Sequence, residues 1–114
     1  MSGDCLFCNI ANGLLATEFL LETDQLVAFR DLHPVAPTHI LVIPKRHITS
    51  LAHLEDTDVT LLGEMMLAIK ELAEELGLED GFRVVANTGA DGGQSVHHLH
   101  FHLIGGRSLQ WPPG

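Results

Sequence analysis

Hydrophobic and polar positions along the chain switch between two periods. From His98 to Leu103 they alternate strictly, as His-Leu-His-Phe-His-Leu. A period of two belongs to a strand with one buried face. The pattern predicts a strand over Val96 to Ile104, closed by Gly105-Gly106. From Thr57 to Leu76 the period lengthens. Val59, Leu62, Met66, Ile69, Ala73 and Leu76 recur at three- and four-residue steps, with Leu61, Met65 and Leu72 widening the stripe. That spacing predicts one long helix, capped by Asp56 or Thr57 and ended by Gly77. Its methionines read as flexible core filler.

The remaining segments are shorter. Residues 5 to 12 read as a short helix ending near Asn12-Gly13. Glu18 to Glu22 and Leu26 to Arg30 read as strands joined by a Thr23-Asp24-Gln25 turn. Pro34 and Pro37 make His33 to Thr38 a loop. His39 to Ile43 is the strongest buried-strand candidate, and Phe82 to Ala86 reads as a further strand. Asn87 to Ser95 is glycine-rich loop. The sum is about five strands, one long helix and a short N-terminal helix. Hairpin-like connections point to an antiparallel sheet and an α+β class. The 114 residues suit one domain, residues 1–114, ending in an extended tail of about residues 107–114.

Composition narrows the function. Fifteen acidic residues against six Lys plus Arg give a net charge of −9, which argues against nucleic acid as the partner. A single nucleotide stays possible, since backbone N–H groups and histidines can hold one phosphate. Met1 to Cys5 lacks the basic and apolar regions of a signal peptide, and no membrane-length apolar stretch follows. The expected location is the cytoplasm, where Cys5 and Cys8 stand as thiols or metal ligands rather than a disulfide.

Eight histidines are the unusual number, and His97, His98, His100 and His102 fall within six residues. In a strand, His98, His100 and His102 share one face while Leu99, Phe101 and Leu103 enter the core. One metal held by all three is disfavoured. The outer pair lies roughly 13 Å apart at about 3.3 Å per residue, against metal–nitrogen bonds of about 2 Å. A division of labour fits better. Neutral imidazole is a competent nucleophile near pH 7, and attack on phosphorus would give a phosphohistidine-type intermediate. The backbone N–H groups of Gly93, Gln94 and Ser95, with the Ser95 hydroxyl, are candidates for an anion nest just before the histidines.

The run His98-Leu99-His100-Phe101-His102-Leu103-Ile104 resembles the signature of the histidine triad (HIT) family. Phe29-Arg30-Asp31, Ala36-Pro37-Thr38-His39, Ile43-Pro44-Lys45-Arg46-His47, Asp91-Gly92-Gly93-Gln94-Ser95 and Trp111-Pro112-Pro113-Gly114 are similar to its nucleotide-binding branch. The resemblance implies an HIT-like fold and a homodimeric purine-nucleoside phosphoramidase that needs no cofactor for its chemistry. By this analogy His100 attacks the α-phosphorus, the amine leaves, and water releases AMP or GMP. His102 would contact the phosphate, Ser95 would pass a proton to the leaving group, and His39 is similar to the family's additional active-site histidine. Ile10, Phe29, Asp31, Leu32 and Asn87 match base- and ribose-binding positions, and a carboxylate such as Asp31 can accept from both ribose hydroxyls. Trp111 and the prolines after it would reach the partner's site or cap their own subunit.

Cys5-Leu6-Phe7-Cys8 has metal-ligand spacing and needs two further ligands for a tetrahedral site. Relatives in the wider superfamily carry structural zinc on such a pair with two histidines, and the matching positions here are His47 and His98. This resemblance implies one structural zinc and frees His100 for chemistry. His33 and His53 read as loop or surface residues, and His97 as packing or a surface contact. Two other functions share the same pocket: a nucleotide-binding regulatory module with incidental hydrolysis, and a dinucleoside polyphosphate hydrolase.

Overall fold

A computed structural model describes residues 5–114; Met1 to Asp4, where the N-terminus was read for a leader, lie outside the described residues. The short helix α1 (Leu6–Ala11) starts at Cys5, whose sulfur accepts from the Cys8 N–H, and stops before Gly13 at φ +79°. Five strands follow, β1 (Leu21–Glu22), β2 (Leu26–Arg30), β3 (Thr38–Pro44), β4 (Phe82–Val85) and β5 (Phe101–Gly105). Helix α2 (Val59–Glu75) lies between β3 and β4 in sequence. The strands form one antiparallel sheet in the order β1-β2-β3-β5-β4. The expected α+β architecture is what the chain adopts, and no helix among the described residues is long and apolar enough to cross a membrane.

The sheet separates two apolar layers because side chains alternate across it. Leu26, Ala28, Ile40, Val42, Phe101 and Leu103 face α2 and pack on Leu61, Met65, Ala68, Ile69 and Leu72. Val27, Phe29, Leu41 and Ile43 face the other way, onto Phe7, Ile10 and Ala11 of α1. Each fully buried aliphatic side chain here contributes about 1.5–3 kcal/mol of transfer free energy. His39 sits between core residues on β3, and His102 is paired with Leu41 and Val85, so both histidines lie on the α1 side of the sheet.

Four expectations change. The last strand is shorter than Val96 to Ile104, because its ladder with β3 ends at the Val42–Phe101 pair, before β3 itself ends at Pro44. His98 and His100 therefore precede the strand, with the Leu99 N–H bonded to the Ile48 carbonyl instead. Leu99 still turns into the α2 layer, so the alternation of faces persists where the ladder does not. The strand read over Glu18 to Glu22 shrinks to two residues, and Thr23 caps its turn by accepting from the Gln25 and Leu26 amides.

Neither Asp56 nor Thr57 caps α2. A 3-10 turn over Asp56–Asp58 precedes it, closed by reciprocal Glu55–Asp58 side-chain bonds. The buried stripe is also narrower. It runs through Leu61, Met65, Ala68, Ile69 and Leu72, while Val59 is 69% and Met66 41% exposed. Gly77 does end the helix, at φ +73°.

Candidate active site and metal centre

His100 is buried just before β5, and its Nδ1 lies 2.7 Å from the His98 carbonyl oxygen. A carbonyl only accepts, so Nδ1 carries a proton, and in the neutral ring the lone pair is therefore on Nε2. The Phe7 ring meets His100 edge-on, with centroids 5.1 Å apart at 87°, and also touches Phe29 and His98. Phe7 was not among the residues singled out from sequence. Its one signal is an aromatic side chain between the two cysteines on the buried side of α1.

On one side of His100 stands the ring of His102, 5.0 Å away between centroids. The proton positions there follow from the backbone. The Val35 N–H donates to His39 Nδ1 at 3.2 Å, so His39 is neutral with its proton on Nε2. That Nε2 lies 2.8 Å from His102 Nδ1, which must accept, leaving His102 with its proton on Nε2 as a free donor. Burial, followed by the neighbouring His100 and His39 rings, pushes the His102 pKa down to about 4. His102 is thus a neutral donor beside a lone pair. Asp31 Oδ2 stands 3.5 Å from His39 Nε2, and Asp31 Oδ1 accepts from the His33 N–H.

On the other side, His98 is fully buried, and its ring Nε2 donates to the Pro44 carbonyl at 2.9 Å. Its Nδ1 lone pair then points at Cys5 Sγ and Cys8 Sγ, each 3.3 Å away. His47 Nδ1 completes the group, 3.5 Å from Cys5 Sγ and 3.2 Å from Cys8 Sγ. Two thiol protons cannot satisfy four such contacts. A tetrahedral ion can, since bonds of about 2.3 Å to sulfur and about 2.05 Å to nitrogen set S···N near about 3.6 Å. Burial pushes the Cys8 thiol up to about 11, helped by the Cys5 thiol beside it, and a bound cation reverses that cost. Burial also lowers the His98 pKa, keeping the ring neutral. Cys5, Cys8, His47 and His98 can therefore hold a metal ion.

Asp31, His39 and His102 also converge, but differently. Two imidazole nitrogens on one tetrahedral ion stand about 3.4 Å apart, whereas 2.8 Å between His39 and His102 is a hydrogen-bond distance.

The glycine-rich loop is locked by its own polar groups. The Gly93 N–H donates to the Ala90 carbonyl and the Gln94 N–H to the Gly89 carbonyl. The Gln94 amide accepts from the Gly89 N–H and donates to the Thr49 and Val96 carbonyls. Two of the three amides expected in an anion nest are thus bonded inside the loop. Ser95 is exposed, and neither its N–H nor its hydroxyl has a bond to another described residue. Asn87 Nδ2 donates to the Gly92 carbonyl at 2.6 Å, and a Cβ on Gly92 would run into the Thr88 backbone. Phe29 and Ile10 are buried beside Phe7, whereas Leu32 is 89% exposed rather than core. His33, His53 and His97 lie on the surface, as read from sequence.

Residues 13–109 match the model of the HIT domain family. An HIT-like protein of Synechococcus elongatus is 48% identical over 114 residues, covering all of both chains. The crystal structure of an HIT family hydrolase from Legionella pneumophila is 46% identical, with a TM-score of 0.95 over 97% of this chain and 100% of that one. A histidine triad nucleotide-binding protein from Candida albicans is 32% identical, with a TM-score of 0.81 over 96% of this chain and 83% of that one. With this fold, this triad and these relatives, the chain belongs to the HIT domain family.

Proposed function

We propose that the protein is a purine-nucleoside phosphoramidase acting through a covalent nucleotidyl-His100 intermediate. The observation that carries this reading is the pairing of two neighbouring histidines whose hydrogen bonds give them opposite roles. His100 offers the Nε2 lone pair, and His102 offers an Nε2 proton beside it. The first attacks phosphorus, and the second stabilises charge on a phosphate oxygen as it develops.

In the first step a bond forms between His100 Nε2 and the α-phosphorus. The bond from phosphorus to the amine nitrogen breaks, and the amine leaves with a proton delivered by the Ser95 hydroxyl. Water then attacks the same phosphorus and gives up a proton that restores the Ser95 hydroxyl, the bond from phosphorus to His100 Nε2 breaks, and AMP or GMP is released. The Ser95 N–H and the His102 Nε2–H contact the phosphate, while Gly93 and Gln94 set the loop that presents Ser95. Ile10, Phe29 and Leu32 bound the base, Asp31 and Asn87 hold the ribose, and His39 orients His102.

Cys5, Cys8, His47 and His98 would hold one structural zinc, which when bound cross-links α1 to the segment after β3 and to the triad. The homodimer is supported by the β4 edge of the sheet, where Phe82 and Val84 are exposed on an outer strand. Sedimentation at equilibrium tests it; a monomer at micromolar concentration rejects it.

A kinetic panel tests the activity, comparing adenosine 5′-phosphoramidate, an acyl-adenylate and a diadenosine polyphosphate on wild type and His100→Ala. The phosphoramidate should turn over fastest. His100→Ala should bind AMP yet lose turnover by on the order of a thousandfold or more. Preferential dinucleotide cleavage would identify a dinucleoside polyphosphate hydrolase. Binding with negligible wild-type turnover would identify a regulatory module.

A further inference from the structure

The proton on His102 is set by a chain that does not end at His39. It passes through the Val35 N–H, and Val35 lies in an exposed loop between Pro34 and Pro37. Something must hold Val35 in place, and it acts on the next peptide group along, the one that carries the Val35 carbonyl. The Val35 carbonyl accepts twice from one guanidinium, from Arg107 Nη2 at 2.9 Å and Arg107 Nε at 3.3 Å. Two bonds in a rigid planar fork fix direction as well as position. The turn carrying Arg107 is fitted to the same loop. Gly106 takes φ +91°, and a Cβ there would stand 2.9 Å from Pro37 Cβ. Backbone contact and guanidinium fork thus seat the turn after β5 on the loop before β3.

We propose that Arg107 is a positioning residue for the reaction: by clamping Val35 it keeps the Val35 N–H on His39 Nδ1 and so places the free donor proton of His102. The inference rests on the phosphoramidase reading only where turnover is concerned. A tether for the C-terminal tail is the competing role, since Arg107 Nη1 also donates to the Ser108 carbonyl. Arg83 supplies the control. It holds the tail independently, through the Gln110 carbonyl at 2.7 Å, and makes no hydrogen bond to Val35.

The test is long-range 1H–15N correlation of the imidazoles in histidine-labelled protein as purified, which reports the tautomer of each ring without any turnover. Wild type should show the proton on Nε2 for both His39 and His102. Arg107→Gln should move both rings toward a mixture of tautomers and lower kcat about tenfold with KM little changed. That is below the roughly hundredfold cost of a 1 Å misplacement. Arg107→Lys, which keeps the charge and one donor but loses the fork, should recover the wild-type tautomers and kcat only in part, and Arg83→Gln should leave both unchanged. Val35→Pro removes the N–H itself and should reproduce the tautomer shift with Arg107 intact. This covers the case in which Arg107→Gln fails to fold.

Native tautomers in Arg107→Gln or in Val35→Pro overturn the proposal. So does an equal tautomer shift in Arg83→Gln, which would make the tail the cause. A wild type that turns over no phosphoramidate would reject the functional reading while leaving the tautomer result standing.

Discussion

Two clusters of histidines flank His100, and they differ in where the proton lies. At His98 the backbone supplies an acceptor, the Pro44 carbonyl, so the proton goes to Nε2 and a lone pair faces two sulfurs. At His39 the backbone supplies a donor, the Val35 N–H, so the lone pair is consumed at Nδ1 and a proton faces His102. The first arrangement leaves room for a cation; the second already has a proton between its nitrogens. Chemically identical side chains are made ligand or relay by one peptide group each. The tautomer-setting backbone contact, rather than the imidazole, is the unit of design.

The largest expected effect comes from breaking the ligand cluster. Cys8→Ser, or stripping the wild type with a chelator, should remove one equivalent of zinc. Losing one of four ligands to a structural ion costs roughly 3 kcal/mol or more, a fall in unfolding midpoint of more than about 10 °C. Phosphoramidase kcat at a permissive temperature should fall less, since the ligand atoms reach the chemistry only indirectly, through the His98 carbonyl that holds His100 Nδ1. Metal analysis and calorimetry check this. Protein that carries no zinc as purified, and whose midpoint ignores both treatments, would reduce the cluster to a pair of buried thiols.

Breaking the relay should show the opposite signature. His39→Ala removes the group that orients His102 and should lower kcat by about 10- to 100-fold, with AMP affinity and unfolding midpoint changed little. His39→Gln, which can still present an N–H to His102, should recover part of the loss. If His39→Ala instead destabilises the protein as Cys8→Ser does while sparing kcat, the two clusters do not differ as their hydrogen bonds require.

Much of this contrast was legible in the sequence. The alternation over His98 to Leu103 correctly assigns faces, because side-chain direction survives where the ladder fails. Its extent was not legible, since the ladder ends at the Val42–Phe101 pair and the Leu99 N–H turns instead to the carbonyl of Ile48, far away along the chain. The stripe on α2 was right at Leu61, Met65, Ile69, Leu72 and Ala73 but too wide at Val59 and Met66, for a related reason. Val59, Met66 and Leu67 are apolar too, and periodicity alone does not say which row meets the sheet. Cys5 and Cys8 announced themselves by spacing, and resemblance supplied His47 and His98. The parts that set protonation were invisible. A carbonyl at Pro44 or an N–H at Val35 leaves no mark in the sequence, because every residue has a carbonyl and nearly every one an N–H.

A finer test uses pH. Unfolded histidine titrates near its ordinary value of about 6.5, whereas His102 in the folded protein is held at about 4. Between those values the unfolded chain takes up a proton that folded His102 refuses. Stability should therefore decline as pH falls from about 6.5 to about 4. In His102→Asn this part of the decline should vanish, leaving what other groups contribute. Unchanged acid sensitivity between pH 6.5 and 4 in that variant would mean His102 is not held neutral by its neighbours.

The smallest effect lies outside both clusters and calibrates them. Asp58 is buried at the start of α2, bonded to the Arg46 guanidinium and to the Glu55 N–H. The Arg46 bond first, and then the Glu55 bond, hold its carboxyl below the usual carboxylate value. A depressed folded pKa stabilises above the unfolded value of about 3.9 and is lost as pH falls through the folded one. Asp58→Asn should therefore lower the unfolding midpoint at pH 7 and converge with wild type only below about pH 3.9. Its window lies beneath that of His102. If the two variants lose their effects over the same pH range, the decline between 6.5 and 4 reflects general acid unfolding rather than the His102 relay.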